Sequence, residues 1–444
     1  MTTNDIISVG IFFDGTGNNG INATSKQKPT KNNESYHSST TNIYKLFGLF
    51  AGNQKIYIEG IGTITGAEDS NYAMGTCKNP VGYVGYSSDD KLAIAYDFIE
   101  EIMQDKSSTY EFYVYGFSRG AMLARNFCYE LLKPDSKISG NVKVKFLGVF
   151  DTVESTPFTK YNVDVLPGVE NALHVCAINE CRYFFPLTGI FASSNDMMDA
   201  ESKTGESIWK EIFVPGAHAD VGGGYLEASE SVYVSANYRK NEDIDAYIAN
   251  VRETLKDSNG NEVWNYLLDG FQIDEGTFFS QAYISRKIVY NDLSKVYGKL
   301  MLEETNAQGR IFSTDFNASN FEINSQLHPY LLQFSNELET YVNNIFQNPR
   351  PVYSYDKFVG YTHISANFGL HKSTLLQKTE GLVNAELINH GLNIPSNADT
   401  SEISPAEAKF QSKVYLLEDG SVTDYAYGAN IPNNNDWIRT ILTN

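Results

Sequence analysis

The residues with the clearest chemical potential lie in the motif Gly-Phe-Ser-Arg-Gly at positions 116–120. The apolar run before this motif predicts a strand and the pattern after it predicts a helix, so Ser118 would occupy a sharp turn. Small residues two positions before and after the serine let strand and helix approach closely. The motif therefore predicts an outward-pointing nucleophile, with the N–H of Arg119 as a donor to an oxyanion. A plain surface turn between two core elements is the alternative.

A nucleophilic serine needs a histidine to accept its proton and a carboxylate to orient that histidine. Both residue types follow predicted strands later in the chain. Asp151 follows the apolar run 142–150, and His218 follows the short run 212–214 in a glycine-rich turn. The chain order serine, aspartate, histidine is that of the α/β-hydrolases. We therefore predict Ser118 as the nucleophile, Asp151 as the acid and His218 as the base.

Other residues compete for the acid and base roles. Asp220 lies two positions after His218 and is a rival acid, although we expect its carboxylate to accept hydrogen bonds from the glycine turn at 222–224. His363 and His371 are reserve bases, because both lie in an apolar, glycine-containing segment. These residues are secondary candidates.

The elements that must position these side chains alternate between strand and helix over the first half of the chain. Strands are predicted at 6–13, 55–60, the run before Ser118, 142–150, 172–178 and 212–214, the last of the series. This alternation predicts an α/β fold of α/β-hydrolase type, with a mainly parallel sheet, helices on both faces, and its chemistry at the carboxyl ends of the strands.

The loop after the first predicted strand is polar and rich in glycine. Gly15 and Thr16 stand where α/β-hydrolases place a second oxyanion donor, and we expect Asp14 to order this loop. The chain is divided by prediction into a catalytic core at 1–225, a cap or insertion module at 226–358, and a segment at 359–444 that returns to the core.

Composition excludes some classes of function. A net charge of -20 argues against passive binding to nucleic acid or to an anionic membrane. No apolar run is long enough to span a membrane, and the amino-terminal residues predict a core strand rather than a signal peptide, so we expect synthesis in the cytoplasm. The four cysteines form no Cys-x-x-Cys pair and are expected to be buried thiols.

Four segments together resemble a known family. The segments at 12–19, 116–121, 147–153 and 215–225 are similar, in order, to the α/β-hydrolase domain of the first group of type VI secretion lipase effectors. His371, in Leu-His-Lys-Ser at 370–373, resembles a further element of that domain. The resemblance implies a phospholipase or related esterase in which Ser118 is the nucleophile and His218 is the base, with Asp151 as the matching acid.

The resemblance also implies a biological setting. Members of the family act on phospholipids, are often delivered into the periplasm of a rival cell, and are paired with an immunity protein. We therefore expect a type VI carrier, an immunity protein and transient membrane contact, with no metal and no cofactor. Two other hypotheses remain: a metal-dependent hydrolase using Asp14, Asp151, His218 and Asp220, and a catalytically silent interaction module.

Overall fold

The architecture was derived from a computed structural model. It describes residues 5–28, 33–138, 140–156, 161–182, 184–205, 207–235, 240–255, 263–275, 280–316, 320–366 and 437–442. The strands are β1 Ile6–Phe13, β2 Gln54–Ile58, β3 Thr109–Phe117, β4 Asn141–Phe150, β5 Asn171–Ala177, β6 Ala200–Thr204, β7 Ser207–Val214, β8 Ala228–Tyr233, β9 Gln272–Glu275 and β10 Ser280–Val289.

Helices connect these strands. They are α1 Gly20–Ala23, α2 Glu34–His37, α3 Asn42–Leu49, α4 Asn71–Thr76, α5 Ser88–Ile102, α6 Arg119–Leu132, α7 His218–Gly222, α8 Asn241–Leu255, α9 Val263–Leu267, α10 Leu293–Ala307, α11 Pro329–Asn343 and α12 Tyr355–Phe358. A 3-10 helix spans Ala192–Asp196. No helix in the described ranges combines the length and hydrophobicity that crossing a bilayer requires.

The main sheet, within the described residues, has seven strands in the order β2-β1-β3-β4-β5-β7-β6. All neighbouring pairs are parallel except β6 and β7, which are antiparallel. The predicted mainly parallel α/β sheet is confirmed. Because parallel strands place their carboxyl ends at one edge, the loops after β1, β3, β4 and β7 share that edge.

Both faces of the main sheet are buried under helices. Phe12 packs in one core cluster with residues of α3, α10 and α11, whereas its neighbours Ile11 and Phe13 pack in a second cluster with residues of α5 and α6. Successive side chains of a strand point to opposite faces, so a strand covered on both sides reads as a continuous apolar run. This explains why 6–13 could be recognised as a buried strand from sequence.

The prediction that 212–214 is the last strand is wrong. The strand itself begins earlier, at Ser207, and a separate three-stranded antiparallel sheet follows in the order β8-β10-β9. Its residues form a third core cluster with α8 and α9. Meanwhile α10 packs in the same cluster as Phe12, on the main sheet. The predicted boundaries at 225 and 358 stay a prediction.

Gly120 provides a stability test of the close contact around Ser118. A Cβ atom at Gly120 would lie 2.3 Å from the carbonyl oxygen of Asp14. We expect Gly120→Ala to lower the free energy of unfolding by roughly 1–3 kcal/mol, because the backbone must shift. The matched control is Gly48→Ala in α3, where nothing lies within 4 Å of the added atom. It should be neutral or stabilise by about 0.5–1 kcal/mol. Equal effects in chemical denaturation would contradict the contact.

Candidate active site

Ser118 occupies a strained turn between β3 and α6, with φ of 59°. A non-glycine residue in this region costs on the order of 1–3 kcal/mol and persists only where surrounding contacts hold it. The N–H of Ser118 donates to the carbonyl of Phe150 at 3.0 Å, and its own carbonyl accepts from the N–H of Val153 at 3.3 Å. The serine turn is thus bonded to the loop that carries Asp151.

Asp151 and His218 form a buried pair. Asp151 Oδ2 lies 2.5 Å from His218 Nδ1, and the two side chains are 0% and 6% exposed. An ionised carboxylate can only accept, so Nδ1 carries the proton and Nε2 presents a lone pair. His218 Nε2 is buried and has no hydrogen-bond partner among the described residues. The ring of Phe117, which precedes Ser118, lies 4.6 Å from the imidazole ring.

Local charges and burial set the ionisation of this pair. Burial lowers the pKa of His218 below its usual 6.5, although the bond to Asp151 favours the charged form. Burial would raise the pKa of Asp151, but the Arg439 guanidinium and the His218 hydrogen bond outweigh it and hold that pKa at about 2. At neutral pH the pair is therefore a carboxylate beside a neutral imidazole, the state a general base requires.

A second buried histidine supports the backbone at Asp151. His174 Nε2 accepts the N–H of Thr152 at 3.1 Å, and its Nδ1 donates to Glu211 at 2.7 Å. Asp151 has φ of 44°, and its own N–H donates to the carbonyl of Val175 at 2.8 Å. This network holds the strained residue and the one after it, so the carboxylate is directed by a well-anchored backbone.

The loop after β1 packs directly against the serine turn. Asp14 accepts hydrogen bonds from Tyr57 at 2.5 Å and from Thr41 at 2.7 Å, which fits its predicted ordering role. Burial raises the pKa of Asp14 to about 6 despite these bonds. The N–H of Gly15 also donates to Asp14, at 2.8 Å, so it is already used. Thr16 Oγ1 is buried and lacks a partner within the described ranges.

Arg119 begins α6, so its N–H is among those that the helix's own carbonyls do not use. Its guanidinium donates to Cys77 Sγ at 3.3 Å. All four cysteines are buried, and none forms a disulfide within the described residues.

Asp220 belongs to a different pair. Its carboxylate accepts from His363 Nδ1 at 2.6 Å, from the His363 N–H at 2.9 Å and from the Ala217 N–H at 2.9 Å. The expected bonds to the glycine turn at 222–224 are therefore wrong: Asp220 caps α7 and binds the segment at 359–366 instead. His371 lies outside the described residues.

The metal hypothesis required Asp14, Asp151, His218 and Asp220 to converge. In the described part of the chain, one group of three such side chains has ligand atoms within 4.8 Å of one another: His174, Cys176 and Glu211. Both nitrogens of His174 already make hydrogen bonds, and Glu211 also accepts from Ser194 and Ile190. This group is the support of the Asp151 backbone described above. Of the four predicted ligands, the structure pairs only Asp151 with His218.

The first half of the chain matches a known protein family. Residues 8–133 and 129–244 match the model of the catalytic domain of Tle1-like type VI secretion phospholipase effectors. The chain belongs to this family. Members of the Tle1-like family are phospholipase effectors of type VI secretion, which makes ester hydrolysis the activity expected of the fold. No curated protein matches the chain.

One of two aligned solved structures supports the same fold. The Tle1 effector bound to the VgrG spike of a type VI secretion system aligns with a TM-score of 0.59 and 20% identity, covering 99% of this chain and 94% of that one. An uncharacterised protein from Pseudomonas aeruginosa aligns with a TM-score of 0.38 and 16% identity, over 97% of this chain and 64% of that one. The alignment with the Tle1 effector supports the same fold for this chain.

Sequence analysis missed two residues that contact the pair. Arg439 forms an ion pair with Asp151, and Glu180 accepts the His218 N–H at 3.3 Å. Arg182 pairs with Glu180 at 2.9 Å and holds the pKa of that buried carboxylate at about 2, against the effect of burial. A Glu-x-Arg sequence after a predicted strand could have indicated the second pair. No local pattern marks Arg439.

Proposed function

We propose that this chain is a serine phospholipase that cleaves acyl ester bonds of membrane phospholipids through an acyl-serine intermediate. One observation carries the proposal: the buried His218–Asp151 pair has an unpartnered Nε2 and packs against Phe117, the residue before the strained Ser118. Membership of a phospholipase effector family supports the substrate class. Among the described residues, Asp220 is bonded to His363, which favours Asp151 as the acid.

The proposed reaction follows from the roles of these atoms. Ser118 Oγ attacks the ester carbonyl carbon while its proton passes to His218 Nε2. The carbonyl oxygen becomes an oxyanion, held by the Arg119 N–H and by the Thr16 hydroxyl in place of the occupied Gly15 N–H. The alcohol leaves with the proton from His218, and a water activated by the same imidazole then releases the fatty acid. Asp151 stabilises the imidazolium in both steps.

The biological setting is also a proposal. Family membership supports delivery as an antibacterial effector into the periplasm of a target cell, with inhibition by an immunity protein in the producer. A spike protein is a suitable carrier, because the structural neighbour Tle1 is described bound to the VgrG spike.

Transient membrane contact has a specific candidate in the loop between α4 and α5. Val81, Tyr83 and Val84 are 100%, 63% and 78% exposed at its tip. The loop is held rigidly, since Asp90 accepts from the Gly85 N–H at 2.7 Å and from Asn79 at 2.6 Å. Residues 79–88 carry no charged side chain. An apolar, neutral tip suits insertion into a zwitterionic bilayer better than attraction to an anionic one.

The decisive test of the mechanism is hydrolysis of p-nitrophenyl esters and mixed-acyl phosphatidylcholine by purified variants. We expect Ser118→Ala and His218→Ala to lower kcat/KM by about 10⁴-fold or more, since each removes a reacting group. Asp151→Asn should cost about 10²–10⁴-fold, whereas Asp220→Asn should cost at most about tenfold. The acyl chain released from the mixed substrate gives the position cleaved. Full activity of Ser118→Ala would refute the serine mechanism and favour a metal-dependent one.

The oxyanion role of Thr16 predicts a hydroxyl-specific effect. Thr16→Val should lower kcat by about 10²-fold with little change in KM, because a donor used mainly in the transition state is removed. Thr16→Ser retains the hydroxyl and should retain most of the activity. Equal loss in both variants would assign the effect to packing.

The loop tip predicts a difference between soluble and membrane substrates. The combined change Val81→Ser, Tyr83→Ser and Val84→Ser should reduce hydrolysis of phosphatidylcholine vesicles by about tenfold or more, since each apolar side chain contributes about 1.5–3 kcal/mol on burial. Hydrolysis of a soluble p-nitrophenyl ester should not change. The matched control is Val352→Ser, at an exposed valine in another segment. Equal vesicle activity of the native and triple-variant proteins would rule out this contact.

A further inference from the structure

The carboxylate of Asp151 has a third partner besides His218 and the Ala177 N–H. Arg439 Nη2 lies 3.0 Å from Asp151 Oδ1, and its Nη1 lies 3.1 Å from Oδ2. Both side chains are 0% exposed. The Nη1 contact is a hydrogen bond, whereas Nη2 lies at ion-pair distance from Oδ1 without hydrogen-bond geometry. Arg439 therefore holds the carboxylate by its charge and by one directed bond. Arg439 therefore contacts the same Oδ2 atom that receives His218 Nδ1.

The position of Arg439 is fixed by the residues around it. Trp437 is buried, donates to the Tyr247 hydroxyl at 3.1 Å, and packs its ring 5.5 Å from that of Trp264. On the other side, Leu187 donates its N–H to the Thr440 carbonyl and accepts from the Leu442 N–H, both at 2.8 Å. The backbone before and after Arg439 is thus anchored, which places its side chain.

The pairing segment is also connected to the loop of the acid. The N–H of Thr188 donates to the Thr152 carbonyl at 3.0 Å. Thr188 directly follows Leu187, which pairs with the segment at 437–442, and Thr152 directly follows Asp151. Residues 437–442 are consequently connected by hydrogen bonds to the loop that carries Asp151. Their contribution is independent of the His174–Glu211 support, which acts on the Thr152 N–H.

A buried ion pair contributes little to stability, which suggests that Arg439 has a role in the site. Replacing a buried ion pair by apolar side chains is often neutral or stabilising, so stability alone is a weak reason for one. Here the positive charge has a chemical consequence, because it opposes part of the negative charge that would stabilise a protonated His218. The other charged groups facing that imidazole are Glu180 and Arg182. Those two form their own pair, which leaves Arg439 as the partner of the acid.

We propose that Arg439 is a positioning residue, which orients the carboxylate of Asp151, holds it ionised, and thereby governs how readily His218 accepts a proton. The proposal rests on the proposed serine mechanism. It assigns a role in hydrolysis to a residue 288 positions after its partner. Arg439 itself touches neither the substrate nor the reacting atoms.

The test is the pH dependence of kcat/KM for a soluble p-nitrophenyl ester. Arg439→Met removes the charge at similar length, so His218 should hold its proton more tightly. The acid limb of the profile should then move to higher pH by about one unit, equivalent to a tenfold change in proton affinity. Arg439→Lys keeps the charge but not the two-point contact of the guanidinium, so its limb should stay near that of the native protein while the plateau falls.

The matched control is Arg125→Met. Arg125 is also buried, but it donates to the backbone carbonyls of Val163, Thr188 and Gly189. Its loss should lower stability without moving the acid limb. If Arg439→Met lowers the rate equally at every pH and leaves the acid limb in place, the positioning role is refuted.

A second measurement covers the case in which Arg439→Met folds poorly. In the Asp151→Asn background the carboxylate charge is already absent, so adding Arg439→Met should change kcat/KM by less than about threefold. A full additional loss there would indicate a purely structural arginine. Activity remaining in Ser118→Ala would instead overturn the serine mechanism, so the two failures are distinguishable.

Discussion

A buried negative charge at Asp151 is the constraint on which the rest of the site depends. A carboxylate with no exposure is stable only when its lone pairs are fully used by donors and opposite charge. Those donors come from separate parts of the chain: His218 after β7, the Ala177 N–H at the end of β5, and Arg439 from the segment at 437–442. The acid is therefore in place only when the strand order of the sheet is complete.

Two residues at the centre of the site have backbone angles that glycine normally adopts. Ser118 has φ of 59° and Asp151 has φ of 44°. Each is held by hydrogen bonds to a neighbouring strand, Ser118 to the end of β4 and Asp151 to the end of β5. Hydrogen bonds to the parallel sheet thus hold both strained residues in place. His174 also accepts the N–H of the residue after Asp151. Such fixed geometry limits the reorganisation needed when charge develops during ester cleavage.

The sequence was sufficient for the parallel strands and for the pairing of Asp151 with His218, because each has a local pattern in the chain. A strand buried on both faces is a continuous apolar run, and each such run ended in a polar motif. The antiparallel sheet was missed because its strands have no continuous apolar pattern, and β7 was placed too late for the same reason. Arg439 was missed, and the pairing of His363 with Asp220 was not predicted, because these residues lie 288 and 143 positions from the aspartates that they bind. Contacts over such distances leave no periodic signal in the chain.

The charges around His218 are paired separately, and this explains its ionisation. Asp151 is bonded to Arg439, Glu180 to Arg182, and Asp220 to His363. Two of these carboxylates also hold the backbone at the start of α7, since Glu180 accepts the His218 N–H and Asp220 accepts the Ala217 N–H. The imidazole is therefore surrounded by acids yet experiences little unbalanced negative charge. Burial is then the largest influence on its pKa, and it favours the neutral base.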